Sequence, residues 1–108
     1  MTKIEQIYVK GKIVEHVWGY DQTNVDYFLI TKRTAKFVTL QPIGRKNVHA
    51  TGFMSGKCVP DPSRILDKPA IRRKVYIRDG RETGVAIFKS HGWASLWDGK
   101  PSHWSNDR

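Results

Sequence analysis

The chain of 108 residues contains one cysteine, Cys58. A lone thiol makes no internal disulfide and no multi-cysteine metal site, so packing and sheet hydrogen bonds must hold the fold. That is compatible with a reducing compartment. No apolar run approaches the roughly 18 residues of a membrane-spanning helix. The first six residues, Met-Thr-Lys-Ile-Glu-Gln, lack the apolar centre of a secretory signal. These absences predict a cytoplasmic protein with no membrane partner.

Catalytic and cofactor signatures are missing as well. There is no Gly-x-Ser-x-Gly elbow and no Cys–His pair in a family signature; Cys58 and His49 lie nine positions apart in a glycine-rich region. The four histidines, His16, His49, His91 and His103, are scattered, with no short spacing that preforms a chelate. The nine glycines are dispersed and form neither a Walker loop nor a dinucleotide fingerprint. Asp21 and Asp26 suit acid–base work as a carboxylate pair, but Asp21 and Asn24 also suit Asx turns in the loop from Gly19 to Asn24. The expectation is a protein that is not an enzyme and holds no metal or cofactor.

Helical periodicity is absent too; no ten-residue stretch carries it. Short segments rich in β-branched and aromatic residues are present instead. Residues 7–18 read as one strand broken or bulged at Gly11. Residues 25–32 and 36–43 read as a hairpin around Arg33-Thr34-Ala35, ending or becoming an edge at Pro42. From Gly44 to Pro69 the pattern weakens, with short extended pieces at 48–50 and 52–54 and at most one helical turn at 64–66. Residues 71–78 alternate, with Val75 and Ile77 on one face and Lys74, Tyr76 and Arg78 on the other. Asp79-Gly80 is a turn signal, Gly84 closes the loop, and 85–89 completes a second hairpin. Residues 94–97 make a last strand, with a turn at Asp98-Gly99. The prediction is a single all-β domain over residues 1–108, a small SH3-like or related barrel of five to six short strands. Trp18, Trp93, Trp97 and Trp104 are expected as core or plug residues, and Cys58 as a plain, partly buried thiol.

Charge is the chain's strongest chemical feature. Its net charge is +9, and residues 31–60 hold six Lys or Arg and no Asp or Glu. A block of one sign is not an even solubilising mixture. If these residues converge, they form a positive face for phosphates or an acidic protein. The candidate contact set is Lys32, Arg33, Lys36, Arg45, Lys46, Arg72, Arg73, Lys74, Tyr76 and Arg78. A cationic strand face bearing an aromatic suits a nucleic-acid backbone with a stacked base. With no recognition helix, RNA or single-stranded DNA fits better than duplex reading.

Three further stretches stand out: Trp18 to Phe28 (WGYDQTNVDYF), Gly52 to Pro60 (GFMSGKCVP) and Trp97 to Trp104 (WDGKPSHW). Together they resemble a family of small uncharacterised proteins of bacteriophages and other mobile elements. The resemblance runs from about residue 13 to residue 104 and brings no catalytic or binding residue with it. It implies a mobile-element accessory protein made in a bacterial cytoplasm. It also keeps open a second function class, a protein-binding inhibitor of a host defence system such as an anti-CRISPR protein, with a host nuclease or ribonucleoprotein as partner. The first and third motifs each combine a Trp with an Asp-containing turn, and either pack together or form one recognition surface.

Overall fold

A computed structural model describes residues 6–18, 24–52, 55–87 and 93–105. It contains eight strands and, among the described residues, no helix. They are β1 (Ile13–Trp18), β2 (Asn24–Arg33), β3 (Phe37–Gly52), β4 (Ser55–Ile65), β5 (Ile71–Arg78), β6 (Arg81–Ala86), β7 (Trp93–Leu96) and β8 (Ser102–Ser105).

The hairpin β2–β3 organises the rest. Ile30 faces Leu40 and Arg33 faces Val38 across it, with an extra residue at Thr31. The first part of β3 also pairs with β5, which continues through β6 and β7 to β1, and β1 returns to β2. Six antiparallel strands therefore close into a ring, in the order β2-β1-β7-β6-β5-β3. Closure satisfies strand edges that two separate hairpins would leave open. The interior is filled by the alternate residues Val14, Phe28, Ile30, Val38, Leu40, Val75 and Val85, with Ala94, Ile87 and Tyr8. The all-β barrel predicted from the strand pattern is the fold.

The second part of β3 leaves the ring. Its register slips between Ile43 and Gly44, and from there it pairs with β4, which carries β8 on its far side. These strands fold back over the outside of β1 and β2. A second apolar cluster results: Val25, Tyr27, Ile43 and Cys58, flanked by Ile13, Leu29 and Trp97. The three stretches 18–28, 52–60 and 97–104 meet here. Tyr27 comes from the first, Cys58 from the second and Trp97 from the third. The Tyr27 hydroxyl donates to the Cys58 carbonyl at 3.2 Å. The Trp97 ring meets Tyr27 edge-on, centroids 6.4 Å apart, and the Ser102 hydroxyl donates to Glu15 on β1. The three stretches therefore contribute Val25, Tyr27, Cys58 and Trp97 to the packing of a second core, completed by Ile43, Ile13 and Leu29.

Several boundaries differ from the sequence reading. The N-terminal strand begins at Ile13, because Gly11 sits in a turn closed by Lys12 N–H to the Val9 carbonyl at 3.0 Å. Pro42 does not end β3; it falls where the pairing with β5 has stopped and that with β4 has not begun. It is buried opposite Phe28, and its carbonyl accepts the Leu66 N–H at 3.1 Å. A strand residue's N–H and C=O point the same way. The missing donor therefore faces the side where β5 has ended, and no ladder bond is lost. Residues 64–66 make no helical turn; β4 runs to Ile65. β6 starts directly after the Asp79-Gly80 turn, so Gly84 lies within it. β8 was not anticipated. Cys58 is fully buried, whereas Trp18 is 47 % exposed rather than core. The side chains of Trp93 and Trp104 lie outside the described set, as do Asp21 and His91. Among the described residues no helix is long and apolar enough to cross a membrane.

Candidate functional site

Residues directly opposite one another on neighbouring strands share a face. Thr39 on β3 faces Lys32 on β2 and Arg72 on β5. Lys32, Thr39 and Arg72 thus form one row across three strands on the barrel's outer surface. In the next row Phe37 faces Lys74. The Arg72 guanidinium carbon lies 4.2 Å from the centroid of the Phe37 ring, a cation–π contact that fixes an otherwise flexible arginine. Period-two alternation carries the face along β5 through Arg72, Lys74, Tyr76 and Arg78, all exposed. Lys36, exposed in the β2–β3 turn, adjoins it, since its carbonyl accepts the Val75 N–H at 2.9 Å.

The strand residues of the patch carry no acid; the nearest described one along β5 is Asp79, in the turn after Arg78. β3 carries no acid from Phe37 to Gly52, and β5 none from Ile71 to Arg78. Among the described residues Lys32, Lys36, Arg72, Lys74 and Arg78 enter no ion pair. Arg81 extends the patch, because the tight turn sets it directly opposite Arg78.

Six of the ten sequence candidates therefore converge: Lys32, Lys36, Arg72, Lys74, Tyr76 and Arg78. Four do not. Arg33 is committed elsewhere, its side chain only 7 % exposed in an ion pair with Glu82. It lies opposite Val38, so the bulge at Thr31 turns it to the inner face while Lys32 keeps the outer one. Arg73 is also opposite Val38; its Nε donates to the Ile87 carbonyl at 3.0 Å and it lines an apolar mouth with Phe28, Pro42, Ile71 and Ile87. Arg45 and Lys46 are exposed on the part of β3 beyond the ring, opposite Pro60 and Val59. Arg33 and Arg73 thus face inward, away from the row that holds Lys32 and Arg72, and Arg45 and Lys46 lie in a different region.

Two members of the patch were missed from the sequence, Phe37 and Arg81. Alternation in β3 with Val38 and Leu40 inward puts Phe37 outward, which was legible. So was Arg81, which follows a two-residue turn and must face Arg78.

No three His, Cys, Asp or Glu side chains among the described residues are grouped to hold a metal. No family model, curated protein or solved structure matches the chain.

Proposed function

We infer that the protein binds nucleic acid, RNA or single-stranded DNA, on the outer face of β2, β3 and β5, and acts by binding rather than by catalysis. Lys32, Lys36, Arg72, Lys74 and Arg78 engage phosphates, and Tyr76, 42 % exposed between Lys74 and Arg78, offers a ring for a base. The observation that carries this reading is the row Lys32–Thr39–Arg72, continued by Lys74 and Tyr76 with no acid in either β3 or β5. A flat strand surface suits an unpaired strand, whose bases splay onto rings, better than a duplex groove. The resemblance to mobile-element proteins then casts the chain as an accessory protein acting in a bacterial cytoplasm.

The test is fluorescence anisotropy with labelled single-stranded RNA and DNA. The double replacement Arg72→Glu, Lys74→Glu should abolish binding while the melting temperature and circular dichroism stay close to the parent's. Retained binding overturns the reading. A pull-down from host lysate adds a second outcome. A protein that stays bound after nuclease treatment, and is lost on the same double replacement, would assign the face to an acidic protein partner instead.

A further inference from the structure

At the opposite end of β2 from Lys32, roughly 25 Å along the strand at about 3.3 Å per residue, lies a pocket of about 320 Å³. Its functional lining comprises Trp18, Asn24, Asp26, Arg45 and Arg64. That volume sits at the low end for small-molecule sites, which fits a mononucleotide-sized group rather than a large cofactor.

Three features make the pocket specific. Trp18 is 47 % exposed, yet its orientation is set, because the indole Nε1–H donates to Asp26 Oδ2 at 2.7 Å. An exposed indole held in place is a ready stacking surface for a planar ring. The side-chain amide nitrogen of Asn24 is buried and has no hydrogen-bond partner among the described residues. Buried donors are almost always satisfied, so an orphan lining a pocket points to an acceptor supplied by a ligand. Among the described lining residues two guanidiniums, Arg45 and Arg64, stand with one carboxylate, Asp26, which favours an anion; Arg45 is partly engaged, its Nη1 donating to the Val25 carbonyl at 3.4 Å. Arg64 is also built into place. A Cβ at Gly44 would lie 2.5 Å from Arg64 Cδ and 2.9 Å from Cγ, so the arginine stem crosses β3 where only glycine leaves room.

A planar stacking surface, an unsatisfied amide donor and paired guanidiniums match a base, a base-edge acceptor and a phosphate. We propose that this pocket binds a nucleotide, either a free nucleoside monophosphate or an unpaired nucleotide of a strand. It stands on observations separate from the outer cationic face, and deepens the nucleic-acid reading only in the second case.

The experiment follows indole and side-chain amide cross-peaks in ¹H–¹⁵N spectra of the full chain. The Trp18 signal is assigned by its loss in Trp18→Phe, and the Asn24 signal by its loss in Asn24→Ala. Four nucleoside 5′-monophosphates, a short unlabelled oligonucleotide and inorganic phosphate are titrated separately. Both signals should move with a mononucleotide or with the oligonucleotide, and not with phosphate alone. A response to the mononucleotide identifies a free nucleotide as sufficient; a response to the oligonucleotide alone places the ligand in a strand. Trp18→Ala should weaken binding about tenfold or more, the scale of one lost base stack. Arg64→Ala should weaken it too, and Gly44→Ala should reproduce that loss with both charges still present. Arg72→Glu with Lys74→Glu should leave mononucleotide binding unchanged, which separates failure here from failure of the outer face. No movement of either signal at millimolar ligand, or equal movement with phosphate alone, overturns the proposal.

Discussion

Arg33 and Glu82, 49 residues apart in the chain, form a two-pronged ion pair that joins β2 to β6 inside the end of the barrel, with contacts of 3.0 and 2.5 Å. All five guanidinium donors of Arg33 are used. Two go to Glu82 and three to the carbonyls of Tyr8 at 3.0 Å, Thr34 at 2.6 Å and Ala35 at 3.2 Å. Glu82 Oε1 also accepts the amides of Ile7 at 2.8 Å and Tyr8 at 3.0 Å. The pair therefore ties the N-terminal segment, with Tyr8 as plug, across the barrel end. Removing one partner leaves a buried charge uncompensated, which costs about 3–5 kcal/mol. Glu82→Leu should lower the unfolding free energy from urea titration by that scale, and Arg33→Met with Glu82→Leu should recover much of it. A loss under about 1 kcal/mol in Glu82→Leu would show that the pair contributes little.

The same pair sets the acid limb of stability. Burial pushes the Glu82 carboxyl up, but the Arg33 side chain and the amides of Tyr8 and Ile7 together outweigh it and hold the group below its ordinary value of 4.5. A carboxyl lowered on folding contributes stability that is present above its unfolded value and lost as pH falls through the folded one. Unfolding free energy should therefore decline below about pH 4.5. In Glu82→Gln that decline should be shallower, measured by urea titration at a series of pH values. An acid limb unchanged by Glu82→Gln would remove this residue as its cause.

Alkali acts on the second core. Burial is the main reason the Tyr27 hydroxyl is raised above 10.0. The Ser102 hydroxyl opposes this, and the bond to Cys58 adds to it. The Tyr8 hydroxyl is also raised, again mainly by burial. A group whose folded value lies above its unfolded one stabilises fully below the unfolded value, and that stability is lost as pH rises past it. Stability should fall above about pH 10, and part of the tyrosinate absorbance should appear only together with loss of native circular dichroism. Tyr27→Phe should lessen the alkaline loss, at a cost near neutrality of about 1–2 kcal/mol from the hydrogen bond no longer made to the Cys58 carbonyl. Complete tyrosine ionisation in a chain that is still folded would contradict the burial of Tyr8 and Tyr27.

The outer face of β5 was readable because Arg72, Lys74, Tyr76 and Arg78 alternate with Val75 and Ile77, and local alternation needs no knowledge of neighbours. Arg33 was misplaced because one extra residue, Thr31, shifts the β2–β3 register. A bulge of that kind leaves no mark in composition, and a one-residue slip turns a side chain to the other face. The run from Gly44 to Pro69 gave only a weak pattern of short extended pieces for a related reason. Its strands owe their existence to pairing with each other and with β8, not to propensity, and Pro60 and Pro62 lower every local signal. The pocket around Trp18 was invisible in sequence, since Arg64 and Asn24 line one pocket only after β3 slips its register at Gly44.

The β5–β6 turn offers a local test. Asp79 and Gly80 have φ of 53° and 77°, the paired left-handed conformation of a two-residue type I′ turn, between Arg78 and Arg81. Nothing lies within 4 Å of a Cβ added at Gly80, so only backbone strain opposes a side chain there. Gly80→Ala should cost about 1–2 kcal/mol, and Asp79→Asn, which keeps a residue tolerant of this conformation, roughly 0.5 kcal/mol or less. A neutral Gly80→Ala in chemical denaturation would mean that the turn relaxes to another type.

Salt dependence discriminates the inward from the outward arginines. Each phosphate contact with a single strand releases counterions and contributes about 0.7 to the slope of log K against log salt. Lys32→Ala and Lys74→Ala, both on the outer rows, should each flatten that slope by about this amount with little change in stability. Arg33→Met should leave the slope unchanged and lower stability, because its charge is spent on Glu82 rather than on solvent or ligand. Tyr76→Ala should weaken binding without altering the slope, as the loss of a stacked base is not ionic. Anisotropy titrations from about 50 to 200 mM salt resolve these patterns. A slope change in Arg33→Met that equals the one in Lys32→Ala would place both residues on the ligand. It would contradict the register that sends neighbours in sequence to opposite faces of the barrel.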